Sequence, residues 1–485
     1  MYICKKYLKK YENETAKAAF WFVIASVIQK ALSFITVPVF TRVMSKEQYG
    51  LYSSYLSWTS VVSVFLTLRI GAGVYSNVLG KENEKFCKDE MAVSLVSLCF
   101  TIITVSFLLF LIFQDYIIAF AELPFTLFLL MFLEIYSIPT IELWTYEQRF
   151  NYKYKLLVLF TLAKSFINVS LGIWLVVYSP VDKQAESRVL SMVLLETISM
   201  LAIYLYFANR RHKLFFVLNW TKIIKFQLPL IPHAISMTLL FTSDRIMIQK
   251  IIGLSEAGIY SVAYSAGQIM TIFESAISDA MRPWIYEKIN KREYKSISYN
   301  ITLISTFVCL IAFVFSVVAP ELIYIFAGKS YYAAIYVIPP VALSAVFTFL
   351  YDIFIIIETY YGVTKSIMLA SVTAALTNIV LNYLLIPKYG FVVARYTTLF
   401  SYILLSVFHY INVRIIGKKH TNKKKLFGIM SLLVISVVGG VGCILVSLIY
   451  DYVIIRYFVL LLFCVLYIVF KKLSDYFGPK TYQFR

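Results

Sequence analysis

Apolar runs of about 18 residues or more recur along this chain from near Ala18 to near Phe470, divided by short polar breaks. A run of that length crosses a hydrocarbon core of about 30 Å as a helix, the form in which a single segment satisfies its own backbone N–H and C=O groups without water. So many spans exclude a soluble domain. The composition agrees, with 60% hydrophobic and 15% charged residues. The fold class that follows is an all-α polytopic membrane protein. The breaks place helices near 18–40, 53–77, 91–113, 124–145, 155–178, 189–208, 226–250, 259–281, 297–322, 333–357, 364–386, 391–413, 426–449 and 455–470, about fourteen in all. The first run follows the basic segment KKYLKKYENETAK, is too long for a signal-peptide core and shows no small-residue cleavage site, so it reads as a retained helix.

Alternate connections differ sharply in charge. With the N-terminus inside, about 32 of the 45 Lys and Arg residues fall on the cytoplasmic side, about 8 outside and about 5 within helices. Both termini are therefore expected in the cytoplasm. The net charge of +19 then reflects topology and contact with anionic headgroups, not nucleic acid, because the basic residues are spread over many short loops. None of the six cysteines is placed for an extracytoplasmic disulfide, and His212, His233, His409 and His420 show no metal-ligand spacing. No metal site and no cofactor are expected.

Outward loops of only about 5 to 13 residues leave no room for a separate catalytic domain. The longest polar connections, NRRHKLFFVLNWTKIIK and RIIGKKHTNKKKLF, divide the chain. The expected plan is a cytoplasmic N-terminus at 1–17, an N-lobe of six helices at 18–208, a linker at 209–225 and a C-lobe of six helices at 226–413. A basic loop at 414–425, a helix pair at 426–470 and a cytoplasmic tail at 471–485 complete it. Gly50-Leu51-Tyr52-Ser53 recurs as Gly258-Ile259-Tyr260-Ser261, each time after an apolar helix and a polar turn carrying a glutamate. The two lobes thus read as parallel repeats related by a pseudo-twofold axis, a known carrier architecture. In MSKEQYGLYS the Ser45 hydroxyl is expected to cap the second helix, with Gln48 completing a capping box.

The stretch ALSFITVPVFTRVMSKEQYGLYS resembles the opening of polysaccharide-type (Wzx-like) flippases, in the superfamily that also holds MATE exporters and lipid II flippases. TSDRIMIQKIIGLSEAGIYSVAYS, YEQRFNYKYK and LTNIVLNYLLIPKYGFVVA resemble the same family, in order, over about the first 415 residues. The resemblance implies export of an undecaprenyl-pyrophosphate-linked oligosaccharide across the bacterial cytoplasmic membrane by alternating access, with no covalent chemistry. Its partners would be that lipid, the surrounding membrane lipids and other polysaccharide-assembly membrane proteins.

An anionic, hydroxylated headgroup crossing unaided would forfeit many hydrogen bonds at a few kcal/mol each, so the carrier needs a basic interior. Lys30, Arg69, Lys164, Arg245 and Arg395 lie within expected helices, where lipid exposure near mid-bilayer would cost roughly 2.5–3.5 kcal/mol each. Ser26 and Ser33 share a face with Lys30, and Asn168 follows Lys164 by one turn. Arg42 stands where the family's motif carries its arginine; it reads either as a cavity cation or as a side chain snorkelling to the interface. Arg69, near a helix end, has the same two readings. Arg245 follows Asp244 directly, so the two project about 100° apart and a structural contact competes with substrate binding. At Arg395 the family usually has a small residue, so the resemblance carries no role there.

Coupling to a proton or sodium gradient would require an acidic group that changes occupancy between states. Glu134, Glu142, Glu196, Asp244, Glu274, Asp352 and Glu358 qualify, and Asp244 is preferred for its adjacent cation. The alternative in the same fold is a MATE-like multidrug or small-cation antiporter, whose cavity should be acidic or apolar. A membrane glycosyltransferase or polymerase would show large outward loops, and a non-transporting scaffold would have no use for costly buried cations.

Overall fold

The computed structural model describes residues 2–70, 75, 85–211, 215, 217, 220–363, 365–420 and 429–477, and among them no strand occurs. Parts of the expected linker, basic loop and tail, and the end of the second helix beyond residue 70, lie outside the described residues. The α-helices are α1 (Tyr2–Val43), α2 (Lys46–Thr67), α3 (Lys85–Ile112), α4 (Gln114–Ala121), α5 (Phe125–Phe150), α6 (Tyr154–Tyr178), α7 (Gln184–Arg211), α8 (Trp220–Gln227) and α9 (Ile231–Ile251). They continue as α10 (Leu254–Asn290), α11 (Tyr294–Val317), α12 (Ala319–Ala327), α13 (Ile338–Tyr360), α14 (Lys365–Tyr389), α15 (Ala394–His420), α16 (Ile429–Val446) and α17 (Val453–Phe477).

Ten helical segments among the described residues are long and apolar enough to cross a membrane, and two shorter apolar stretches follow at Gly439–Ile449 and Val453–Val465. α2 and α10 fall outside the ten because their sequences are too polar: α2 is rich in serine, and α10 carries Glu256, Glu274, Asp279, Arg282, Glu287 and Lys288. Large apolar side chains such as Leu159, Phe166, Trp174 and Leu205 point outward. In water such faces would drive aggregation; in lipid they cost nothing.

The chain packs as two units, Met1–Thr238 and Leu239–Arg485, with the division inside α9. In the first unit α5 packs on α7, and α6 packs on α1 and α7. Trp144, Leu157, Ile203 and Phe207 form a buried cluster among these helices. The turn between α1 and α2 is capped as expected, Ser45 Oγ accepting from the Gln48 amide at 3.2 Å. The capping box is not closed locally. Gln48 Oε1 accepts instead from the Ala185 amide (3.0 Å), the Ser45 amide donates to Gln184 Oε1 (3.1 Å), and Gln184 Nε2 donates to the Val43 carbonyl (3.0 Å). Two helix starts, α2 and α7, thus cap each other.

α2 stops at Thr67, ten residues before the expected end. Leu68 and Arg69 adopt left-handed backbone (φ 50° and 46°), a conformation costing about 1–2 kcal/mol for each non-glycine residue. Gln227 Nε2 donates to both their carbonyls at 3.1 Å and secures the turn.

In the second unit α13 is central, packing on α10, α11, α15 and α16. Its span is 78% buried, against 11% for that of α6 in the first unit. Pro339 and Pro340 occupy the first turn of this helix, where a missing N–H costs nothing. Gly267 of α10 allows close contact with α13, since a Cβ there would meet Val341 Cγ1 at 2.4 Å. α17 is tied to this core by buried Arg456, which donates to the Val317 carbonyl (2.8 Å) and to both oxygens of Glu321 (2.8 and 2.5 Å).

Candidate functional site

Each unit holds its own polar centre. In the first, Lys164 Nζ on α6 donates to both carboxylate oxygens of Glu196 on α7 at 2.7 and 2.8 Å. The pair retains 22% and 29% side-chain exposure. About two turns away in α7 lies Arg188, buried at 4% exposure. Its Nη1 donates to Asn168 Oδ1 and Ser191 Oγ, both at 2.8 Å, and its guanidinium carbon lies 4.4 Å from the Phe40 ring centre and 5.6 Å from that of Tyr52. Gly172 makes the room, because a Cβ there would lie 2.7 Å from Arg188 Nη1. Tyr55 donates to Glu134 Oε2 at 2.6 Å.

Arg188 escaped the sequence reading because its helix was expected to begin at residue 189; α7 begins at Gln184 and carries the arginine inside the bundle. Asn168, expected to accompany Lys164, serves Arg188 instead.

In the second unit the centre is Asp244, 1% exposed. Tyr260 and Thr398 hydroxyls donate to its Oδ2, each at 2.5 Å, and Asn382 Nδ2 donates to Oδ1 at 2.6 Å. Asn378 braces the cage, accepting from Ser243 (2.9 Å) and Asn382 (3.2 Å) and donating to Thr398 (3.1 Å), while the Thr397 hydroxyl donates to Asn382 Oδ1. Four helices, α9, α10, α14 and α15, contribute. A carboxyl held by neutral donors alone is enclosed by groups that can reorganise around an added positive charge. Arg245 does not pair with it. That guanidinium turns away to lie 4.4 Å from the Tyr264 ring and 5.6 Å from that of Phe241, and its buried Nε makes no hydrogen bond.

Arg395 has the same character. It is 6% exposed, stacks 4.5 Å from the Tyr396 ring and donates to the Tyr396 hydroxyl at 3.0 Å, with Nε and Nη1 buried and without a partner. A buried guanidinium with spare N–H groups is costly to hold and ready to take an anion's oxygens. Also in this unit is an open apolar cavity of about 520 Å³ between α13, α15 and α16, lined by Leu343, Phe354, Leu399, Val437 and Ile444 among others.

The remaining candidates are exposed. Lys30 lies on an outward face of α1. Arg42 is exposed, its Nη1 donating to the Pro38 carbonyl at 2.7 Å. Arg69 is exposed in the left-handed turn after α2. Among the described residues no group of three or more His, Cys, Asp or Glu side chains is arranged to hold a metal ion.

The lipid II flippase MurJ in an inward closed conformation superposes with a TM-score of 0.70 at 16% identity, covering 94% of this chain and 98% of its own. A MATE family multidrug transporter in an inward-facing conformation gives 0.61 at 10% identity, covering 84% and 100%. A superfamily transporter from Pyrococcus furiosus gives 0.53 at 12% identity, covering 84% and 95%. At such identities these similarities establish the fold. No curated protein matches the sequence. The model of the polysaccharide biosynthesis protein family matches residues 15–289, more than half of the chain, and the chain belongs to that family.

Proposed function

We propose that this protein is a flippase that carries an undecaprenyl-pyrophosphate-linked oligosaccharide across the bacterial cytoplasmic membrane, by alternating access between its two units and with both termini cytoplasmic. The observation that carries the reading is the pair of buried guanidinium groups, Arg245 and Arg395, whose spare N–H groups suit pyrophosphate oxygens. The tyrosines stacked on them, Tyr264 and Tyr396, offer apolar faces to sugar rings. The apolar cavity between α13, α15 and α16 is chemically suited to a stretch of prenyl chain. Lys30, Arg42 and Arg69, being exposed, would act at entry or exit, and Lys164 would act only if its bond to Glu196 opens.

Coupling would run through Asp244. Its carboxylate, together with the side-chain oxygens of Asn378, Asn382 and Thr398, provides the hard oxygen ligands a proton or sodium ion prefers. The same cage supports the second reading, a MATE-like small-cation or drug antiporter.

Proteoliposomes loaded with a fluorescent polyprenyl-pyrophosphate oligosaccharide test both. A headgroup-cleaving enzyme outside reports translocation. The expected result is protein-dependent loss of the protected fraction, slowed about tenfold or more by Arg245→Ala, a loss of about 1.4 kcal/mol. No difference from empty liposomes, with gradient-driven export of a cationic dye by the same vesicles, would replace the flippase with the antiporter.

A further inference from the structure

One cationic surface of the first unit takes no part in either polar centre. α8 packs inward through a single face: Ile223 and Gln227, one turn apart, are buried, and Trp220 Nε1 donates to Ser97 Oγ of α3 at 3.4 Å. Gln227 is the residue that holds the left-handed turn after α2, through the carbonyls of Leu68 and Arg69. The helix is thus fixed to α3 at its start and to the end of α2 at its finish, and it cannot roll without breaking those bonds.

Its outward face is exposed. Lys222 and Lys225 project roughly 120° and 180° from the buried face, with exposed Ile224 and Phe226 on its two flanks. Among the described residues no carboxylate pairs with either lysine. The sequence holds no Asp or Glu between Glu196 and Asp244, while Arg210, Arg211 and Lys213 fall in the same interval as the two lysines. Glu196 is taken by Lys164, and Asp244 is enclosed in its cage.

Helix length places this face at a membrane surface. α9 has 21 residues and is about 31 Å long, sufficient by itself to cross a hydrocarbon core of about 30 Å. α8 and the helical turn Leu228–Leu230 run directly into it, so α8 stands beyond the core, at the surface where α9 begins. The chemistry changes in the matching order. After the lysines come Phe226, Leu228 and Leu230, all exposed, within about 8 Å of further rise. Ammonium groups at the level of phosphates, followed by apolar side chains at the level of acyl chains, are the profile of a segment seated in one leaflet. A soluble acidic protein would match the lysines and leave the apolar half uncovered.

We propose that the outward face of α8 binds acidic phospholipid, with Lys222 and Lys225 on headgroup phosphates and Phe226, Leu228 and Leu230 among the acyl chains. The buried side of the same helix carries Gln227, so lipid held on one side secures the end of α2 on the other. The inference concerns the bilayer and not a carried substrate, and it stands whether or not the protein flips a lipid-linked sugar.

Hydrogen-exchange mass spectrometry of the full chain tests it, in nanodiscs of neutral phosphatidylcholine and in discs containing roughly one-third phosphatidylglycerol. Each lysine near an acidic surface is worth about a fivefold gain in binding, so the amides of residues 220–227 should exchange about tenfold more slowly in the acidic discs, and those of Leu68, Arg69 and Ile70 should slow with them. At about 1 M salt, where charges are screened within about 3 Å, most of the difference should vanish. Lys222→Gln combined with Lys225→Gln should remove the lipid dependence and leave exchange in neutral discs unchanged. Lys291→Gln, which removes a lysine already paired with Glu287, should leave the dependence intact. Gln227→Ala should speed exchange at residues 68–70 in both kinds of disc, which separates the protein's own lock from the contribution of lipid. Equal exchange in the two bilayers, or a lipid dependence that survives loss of both lysines, overturns the proposal. Slowing by soluble polyglutamate in neutral discs, with none from phosphatidylglycerol, overturns it in favour of an acidic polypeptide partner.

Discussion

The same four-residue motif opens α2 in one unit and α10 in the other, and the tyrosine within it meets opposite charges. Tyr52 stacks beside the guanidinium of Arg188, whereas Tyr260 donates a hydrogen bond to the carboxyl of Asp244. Gly50 and Gly258 are each the fifth residue of their helix, so the scaffold is repeated even though the chemistry is not. In the first unit Lys164 finds Glu196 and remains partly exposed, while buried Arg188 finds aromatic faces. In the second, the Asp244 carboxyl is enclosed by neutral donors. The Lys164 charge is matched by a carboxylate, whereas the Asp244 carboxyl is met by neutral groups alone.

Asp244→Asn should break this contrast most severely. It retains the shape of the cage and removes the exchangeable charge, so gradient-driven transport in proteoliposomes should fall about tenfold or more and lose its dependence on the imposed ion gradient. A variant that still answered the gradient would put Asp244 in the same structural class as the first unit's pairs.

Gly172→Ala tests the other half. The new Cβ would press on Arg188 Nη1 at 2.7 Å and on Phe40 Cζ at 3.1 Å, and displacing that side chain should cost about 1–3 kcal/mol, read as a lowered thermal midpoint in detergent. Lys164→Met should cost less, about 1–2 kcal/mol, because the pair is only partly buried; adding Glu196→Gln should restore most of the loss. If the double variant is no better than the single one, Lys164 has a role outside the pair. Smallest is Gln184→Ala, expected to cost about 1 kcal/mol by unlocking the reciprocal caps of α2 and α7, with no effect on ion dependence.

Much of the fold was legible because a bilayer imposes a strong code: a long apolar run with few charges has one stable form. The code weakens where a helix is polar. α2 and α10 are poor in hydropathy because α2 is rich in serine and α10 carries several acidic and basic residues. The end of α2 was misplaced because Gln227, more than 150 residues away, stabilises its left-handed turn. Among the candidate residues, Arg245, Arg395 and Asp244 stood out in the sequence because a charge inside an apolar run is expensive and therefore conspicuous. Arg188 sat at a run's edge, where a charge costs little in sequence terms and attracts no notice.

From the sequence alone follow the membrane, the helices, the repeated motif and the set of charges that must be accommodated, since all of these depend on composition and spacing along one segment. Pairing depends on which helices touch. That Lys164 belongs to Glu196, Asn168 to Arg188, and Asp244 to Tyr260, Asn382 and Thr398 but not to its neighbour Arg245 was decided by tertiary packing. Adjacent residues on a helix point about 100° apart, and only the neighbouring helices determine what each one meets.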